Sequence, residues 1–325
     1  MATVSTFRPC TYSSEADFDA IANLINTCRE ADDIDIRISI TDVREDYANP
    51  RFDITRDLQL WRDGNGELVA IAEFWHSPQP EQTEVLGSFY FDVHPHVRGD
   101  GLEDSAMAWA EQRLRETGQD LSLPLVLHTG CRDKLTEHRK LLARFGFTPE
   151  RYFFQLKRSL QEEILELPVP AGWKVRTVDA KSDAEVWVEM FNQSFVDHWN
   201  HTPMTVEEFH YYSSFSDHNP DLDLVLETPE GNLVTFCYSS IDTERNERLG
   251  QKEGHVCLLG TRRGYRRQGL ARALLTEGLK LLKTMGMETA TIGVDGQNPS
   301  GAVALYKSVG FTEDFRSTVY RKEVT

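Results

Sequence analysis

The sequence predicts an α/β protein with two similar halves, each a central mixed sheet flanked by helices. Length is the first observation: 325 residues, 40% hydrophobic and 27% charged, suffice for two domains with separate cores. A repeat is the second, because a strand-like run leads into an Arg/Gly loop and then a helix at 86–114 and again at 254–282. The third is that similar elements surround this unit in both halves.

Each element is predicted from local pattern. Apolar runs bounded by turn formers indicate strands, and the hairpin turns contain Gly, Asn or Asp, which accept positive φ. The predicted pairs are opening strands at 6–12 and 173–179, hairpin turns at 63–67 and 229–232, strands after the Arg/Gly unit at 123–127 and 289–294, and last strands at 152–158 and 317–321.

Matched residues define the repeat. Arg98 and Gly101 correspond to Arg266 and Gly269 at an offset of 168, and the Gly-Phe pairs at Gly146 and Gly310 follow at an offset of 164. The segment 161–172 is rich in charge and proline, which favours a linker. We therefore expect domains at 1–165 and 166–325.

Bulk composition excludes several classes of protein. The formal charge of −17 argues against a nucleic-acid partner, which requires clustered cations. The five cysteines are odd in number and widely spaced, as expected of reduced thiols and not of a zinc site. No run approaches the roughly 18 apolar residues of a membrane span, and the amino terminus lacks a signal-peptide pattern. We expect a cytoplasmic protein without metal or membrane partner, either a monomer or a homodimer.

The loop from Arg266 to Ala271 has the chemistry of a phosphate cradle. It follows a strand predicted at 256–260 and opens a helix, so backbone N–H groups and the positive helix end converge on one point. Gly269 and Ala271 allow close approach to the backbone, and four arginines supply positive charge, namely Arg262, Arg263, Arg266 and Arg267. A solvated basic turn is the alternative for the loop taken alone.

A second motif follows, with Asn298, Ala302, Leu305, Tyr306 and then Gly310-Phe311. Together, R-x-x-G-x-A and N-x-x-x-A-x-x-L-Y-x-x-x-G-F resemble the two signature motifs of the GNAT superfamily of N-acetyltransferases. The resemblance covers about 172–323, and the repeat extends the fold to the first half. Two such domains in one chain are similar in architecture to the mycothiol synthase family.

The resemblance implies acetyl-CoA as cosubstrate and direct attack of an amine on its thioester. It implies that the loop amides hold the pyrophosphate, that the preceding strand holds the pantetheine and thioester, and that Tyr306 protonates the departing thiolate. The implied cofactor-binding residues are Leu258, Leu259, Gly260, Arg266, Arg267, Gln268, Gly269, Leu270, Ala271 and Asn298.

An ammonium substrate must lose a proton before it attacks. The position that carries a base in several relatives falls on His255, and an imidazole titrates near pH ~6.5. Strand alternation places residues 253, 255, 257 and 259 on one face, so Glu253 is the second candidate.

The first half departs from the motifs. Glu103 stands where the second half has Ala271, Asp100 where it has Gln268, and Leu142 where it has Tyr306. Negative charge and bulk at the loop, and loss of the proton donor, predict a non-catalytic copy.

Acceptor recognition is expected from 191–215, where aromatic and acidic side chains are interspersed. His198 and His201 lack a third ligand with metal-site spacing, so we expect no metal. The sequence favours an N-acetyltransferase acting on a primary amine of a small molecule. A peptide or protein amine acetyltransferase, and a non-catalytic acyl-CoA-binding regulator, remain alternatives.

Overall fold

The computed structural model describes residues 7–76, 78 and 83–325. The first residue of the strand predicted at 6–12 lies outside this part of the chain. No helix within the described ranges is both long and apolar enough to cross a membrane.

The chain forms two compact units. The first extends to Glu150 and also contains Thr318–Thr325, and the second is Arg151–Ser317. These units differ from the predicted linear domains by two exchanged segments: 151–165 belong to the second unit and 318–325 to the first.

The first unit is a mixed sheet with helices. Its strands are β1 (Arg8–Cys10), β2 (Leu58–Arg62), β3 (Leu68–His76), β4 (Val85–Val93) and β5 (Leu125–Arg132), and its helices are α1 (Ala16–Ala31), α2 (Ile40–Tyr47), α3 (Leu102–Gly118) and α4 (Thr136–Arg144). The sheet order is β1-β2-β3-β4-β5, with β4 and β5 parallel and the other pairs antiparallel.

The second unit repeats this arrangement. Its strands are β6 (Thr148–Ser159), β7 (Lys174–Thr177), β8 (Asp223–Glu227), β9 (Leu233–Ser240), β10 (Glu253–Thr261) and β11 (Thr289–Asp295), and its helices are α5 (Ala184–Phe195), α6 (Val206–Ser213), α7 (Thr243–Leu249), α8 (Leu270–Thr284) and α9 (Ala302–Ser308). The order is β6-β11-β10-β9-β8-β7, with β10 and β11 parallel. The predicted fold class, a mixed sheet flanked by helices in each half, is confirmed.

Two cores cover the two faces of the second sheet. Along β9, Phe236 packs with Trp187 of α5, whereas its neighbour Cys237 packs with Leu274 of α8, as strand alternation requires. α8 buries Leu270, Leu274, Leu275, Leu279 and Leu282. Burial of each such leucine contributes about 1.5–3 kcal/mol. α5 and α8 are thereby fixed on opposite faces of β10.

The exchanged segments follow from packing and pairing. The last strand, β12 (Thr312–Val324), buries Tyr320 and Val324 in the core that contains Leu127 of β5, and β12 neighbours β5. β6 instead pairs antiparallel with β11 from Ser159 to Phe153. Which unit each strand joins is thus determined by long-range pairing, which the local sequence pattern does not reveal.

Candidate active site

The parallel pairing of β10 with β11 ends early and leaves a gap. It covers Glu253 to Val256, whereas β10 remains paired with β9 as far as Thr261. Beyond Val256 the edge of β10 that faced β11 is therefore released, and Leu258 and Leu259 lie on this released part. The first unit shows the same geometry, because its parallel pairing ends at Ser88, 168 residues before Val256.

The loop after β10 has a backbone suited to an anion. Gly269 caps the amino end of α8 at φ 80°, and Arg267 has φ 62°, a left-handed conformation that a non-glycine residue adopts at a cost. Left-handed residues alternating with ordinary ones turn successive N–H groups toward one concave side. The N–H groups of the first turn, from Leu270 and Ala271 onward, have no partner within the helix. The predicted loop thus has the geometry that a pyrophosphate requires.

The arginines around the loop are mostly engaged elsewhere. Arg266 donates from Nη1 to Asp197 at 2.6 Å, from Nη2 to the Ser194 carbonyl at 2.7 Å and from Nε to the Thr261 carbonyl at 3.2 Å. Arg263 also pairs with Asp197. We predicted that these cations surround the phosphate, but the structure places them against the end of α5.

The other two predicted cations differ from each other. Arg262 pairs with Glu189 at 2.6 Å and donates to Gln193 at 2.8 Å, both on α5. Arg267 is exposed, and among the described residues it has no ion pair, so it is the arginine best placed to meet a phosphate. Gln268 is exposed as well and lies 3.4 Å from the Gly264 carbonyl.

His255 is held on the face of the sheet that α5 covers. Its Nδ1 lies 2.9 Å from the Thr291 hydroxyl of β11, and it stands opposite Ser240 of β9. Burial lowers the pKa of His255, opposed in part by Glu253, so the imidazole is neutral at neutral pH. A neutral, oriented imidazole is able to accept a proton.

Glu253 is committed to ion pairs. Its two carboxylate oxygens lie 2.7 Å from Arg245 and 2.8 Å from Lys157, and the side chain is buried. Burial acts to raise the pKa of Glu253, but the two cations outweigh it and hold the pKa below its ordinary value. A low-pKa, doubly paired carboxylate is a poor base, so the geometry favours His255 of the two predicted candidates.

A bulge in β10 changes which residues share a face. The pairing with β9 shifts between Val256 and Leu258, leaving Cys257 as the extra residue. As a result Leu258 packs in the core under α5, whereas Leu259 packs in the core under α8. The prediction that residue 259 shares the face of His255 is therefore wrong, because the bulge inverts the alternation beyond residue 257.

Cys257, the extra residue of the bulge, was not among the predicted site residues. Its thiol lies 3.2 Å from the hydroxyl of Ser240, the residue paired with His255. Burial raises the pKa of Cys257 to about 11, so the thiol is protonated. Only the bulge singles out this residue, and an isolated cysteine in a strand gives no such signal in sequence.

Gly260 is explained by packing. A side chain there would meet the Phe236 ring at 2.3 Å and the Ser194 side chain at 3.0 Å. Its lack of a side chain lets α5 approach β10, whatever further role its amide has.

Tyr306 and Asn298 belong to the turn and helix after β11. Tyr306 of α9 is 6% exposed and packs edge-on against Phe311 at 6.1 Å between ring centroids. Burial, with a smaller contribution from Cys237, raises the pKa of Tyr306, which keeps the phenol protonated. Asn298 accepts from the Ser300 N–H at 2.8 Å and so shapes the turn that opens α9.

In the corresponding loop of the first unit, a side-chain carboxylate occupies a backbone N–H group. Gly99 and Gly101 have φ 88° and 96°, matching the left-handed Arg267 and Gly269. The Glu103 carboxylate is buried and accepts from the Gly99 N–H at 2.9 Å. Leu142, opposite Tyr306 in the repeat, is buried in the core. The backbone of this loop has the same conformation as in the second unit, but the Glu103 carboxylate occupies the Gly99 N–H donor.

The predicted acceptor segment is largely structural at its start. Phe191 and Phe195 pack on Phe236, and Asp197 is engaged by arginines. His201 stacks near Phe195, and burial lowers its pKa. No group of three or more His, Cys, Asp or Glu suited to a metal ion occurs in the described part of the chain.

Comparison with known proteins agrees with this geometry. Residues 184–311 match the model of the acetyltransferase (GNAT) family. The chain is 28% identical over 306 residues to mycothiol acetyltransferase of Thermobispora bispora, covering 94% of this chain and 96% of that protein.

Solved structures share the fold of the whole chain. A GCN5-related N-acetyltransferase from Sphaerobacter thermophilus matches at a TM-score of 0.73 and 24% identity, covering 98% of this chain and 96% of that one. A tandem GNAT protein from the clavulanic acid biosynthesis pathway matches at 0.66 and 14% identity, covering 99% of each chain. With the loop and the strand gap, the match over 184–311 identifies a GNAT acetyltransferase domain in the second half, and the whole chain shares the fold of tandem GNAT proteins.

Proposed function

We propose that the second unit transfers an acetyl group from acetyl-CoA to a primary amine of a small molecule, and that the first unit is not catalytic. The main observation behind this proposal is that β10 and β11 separate after Val256, and that β10 then leads into the loop with left-handed Arg267 and Gly269. A thioester arm fits the released strand edge, and a pyrophosphate fits the loop amides and the amino end of α8.

His255 is the proposed base. The Thr291 hydroxyl lies 3.5 Å from the Gly254 carbonyl, to which it is able to donate, and it then accepts from His255 Nδ1–H. This arrangement leaves Nε2 with a free lone pair, which takes the proton of the substrate ammonium. The resulting amine attacks the thioester carbonyl.

Tyr306 is the proposed acid. When the carbon–sulfur bond breaks, the thiolate of CoA must receive a proton, and a buried phenol with a raised pKa still holds one. Successive N–H groups of a strand point to opposite edges, so the one of the Leu258 and Leu259 amides that points to the released edge is the proposed donor to the thioester carbonyl oxygen.

A small-molecule acceptor is supported by the relatives. Several proteins similar over most of the chain are named for mycothiol, a small molecule. The test is release of free CoA from acetyl-CoA by the full-length protein, with a panel of amino sugars, amino-acid amides and peptides. We expect turnover with small amines above that with peptides. Preference for peptides would contradict the acceptor class, and binding without turnover would make the protein a regulator.

A further inference from the structure

An ion pair ties the candidate phosphate loop to the end of α5. Asp197, two residues beyond α5, accepts from both Arg266 and Arg263, and the same Arg266 donates to the backbone carbonyls of Ser194 and Thr261. Hydrogen bonds from Arg266 and Arg263 lower the pKa of Asp197, so its carboxylate is ionised. This clamp joins the end of β10, the loop and α5.

The first unit contains the same clamp without the phosphate chemistry. Arg98 donates to both carboxylate oxygens of Asp32, at 2.7 and 3.0 Å, and to the Val93 carbonyl at 3.0 Å. In each unit the backbone acceptor lies five residues before the arginine, and the aspartate follows the first helix. The unit with Glu103 in its loop thus keeps the arginine. An arginine kept beside a blocked loop acts on loop geometry and not on a bound phosphate.

We propose that Asp197 is a positioning residue for the cosubstrate, acting through Arg266 on the conformation of the phosphate loop. This inference rests on the proposed acetyl-CoA site. The residue after Arg266 is the left-handed Arg267, whereas the first unit has Gly99 at that position, which adopts positive φ without strain. The conformation of the loop in the second unit therefore depends more on the contacts of the clamp. The Asp197 side chain is 41% exposed, so its effect is on the loop and not on global stability.

If Arg266 binds the phosphates directly, Asp197→Asn should change the affinity for acetyl-CoA in the opposite direction from that expected if the clamp positions the loop. If Arg266 bound the phosphates, removing the carboxylate would free a guanidinium and delete a negative charge, so acetyl-CoA would bind more tightly. If the clamp positions the loop, acetyl-CoA binds more weakly. We expect the dissociation constant and KM for acetyl-CoA to rise about tenfold, with kcat at saturation and KM for the amine close to wild type.

The experiment compares full-length Asp197→Asn, Asp197→Glu and Asp32→Asn with wild type, by titration calorimetry with acetyl-CoA, steady-state kinetics and thermal unfolding. Asp32→Asn breaks the matching clamp of the first unit and should leave the KM for acetyl-CoA unchanged. Asp197→Glu should recover part of the affinity.

Tighter or unchanged acetyl-CoA binding by Asp197→Asn would overturn the inference. It would also be overturned if Asp32→Asn lost as much affinity for acetyl-CoA as Asp197→Asn. Failure of wild type to bind acetyl-CoA would instead overturn the proposed function.

Discussion

At the scale of single residues, the proposed chemistry depends on two side chains whose surroundings shift their pKa values. His255 is held by Thr291 and is neutral, while Tyr306 is buried and protonated. Each is therefore in the state that its proposed role requires, base in one case and acid in the other.

Substitution of His255 by Ala should reduce kcat/KM about 100-fold, within the usual range for a general base. The active neutral form exists above the pKa of His255, and burial lowers that pKa. Wild-type activity should therefore persist to lower pH than an ordinary histidine would permit, and fall as the pH drops through the lowered value. Rate profiles from pH 5 to 9 measure this. Thr291→Val, which removes only the orienting hydroxyl, should reduce kcat/KM by less than His255→Ala does. An unchanged profile in His255→Ala would exclude the role.

Tyr306→Phe should lower kcat about 10-fold or more and leave the KM for acetyl-CoA nearly unchanged, because only the hydroxyl proton is lost. The ring is buried against Phe311, and phenylalanine keeps that packing, so the free energy of unfolding should change little. Steady-state kinetics and denaturant unfolding on the same samples separate the two effects. Full activity in Tyr306→Phe would show that the thiolate takes its proton elsewhere.

At the scale of elements, the two Arg/Gly loops are alike in backbone and opposite in ligand chemistry. Gly99 N–H in the first is taken by Glu103, and the equivalent position to Glu103 in the second is Ala271. In the first loop, the Glu103 carboxylate thus occupies an N–H group at the position where the second loop has its proposed phosphate site.

The double variant Asp100→Gln/Glu103→Ala should open the first loop to phosphate. Calorimetric titration with CoA is expected to show one additional site per chain compared with wild type. Asp104→Ala removes a carboxylate from the same helix turn without touching Gly99, and it should add no site. No additional site in the double variant would mean that the shape of the loop alone does not suffice.

Local sequence patterns were sufficient for the two Arg/Gly loops, the hairpin turns and the order of the strands and of most helices. The hairpins close as predicted, with the Asp63 N–H donating to Glu67 and the Thr228 N–H to Asn232, both at 2.9 Å. The bulge at Cys257 and the partners of Arg266 could not be predicted, because both depend on segments distant in sequence. α7 was not predicted either, although its Arg245 pairs with Glu253 and contributes to the low pKa of that carboxylate.

At the scale of the whole molecule, the first unit consists of two separate stretches of chain, whereas the second is one continuous stretch. Residues 318–325 complete the first unit, and Tyr320 among them is 5% exposed and accepts from Arg139 at 3.1 Å. Cutting the chain at residue 165 would therefore give two fragments that each lack a strand.

Tyr320→Ala should destabilise the first unit by about 3 kcal/mol, the usual cost of truncating a buried aromatic side chain. Tyr212→Ala, at a residue that is 43% exposed, is the control and should cost much less. Hydrogen exchange reports the units separately: β4 amides should lose protection while β11 amides keep it. Equal loss in both sheets would show that the units unfold together.

The exchanged strand also sets an order of assembly during synthesis. The second unit is one continuous stretch, so it has all its strands as soon as Ser317 has emerged from the ribosome. The first unit, although translated earlier, waits with the edge of β5 unpaired until Tyr320 and Val324 arrive. A chain truncated after Ser317 should accordingly show exchange protection in β11 and less in β5. A chain interrupted after Ser317 would carry a complete second unit and an incomplete first unit, whose exposed β5 edge would be a target for chaperones and proteases.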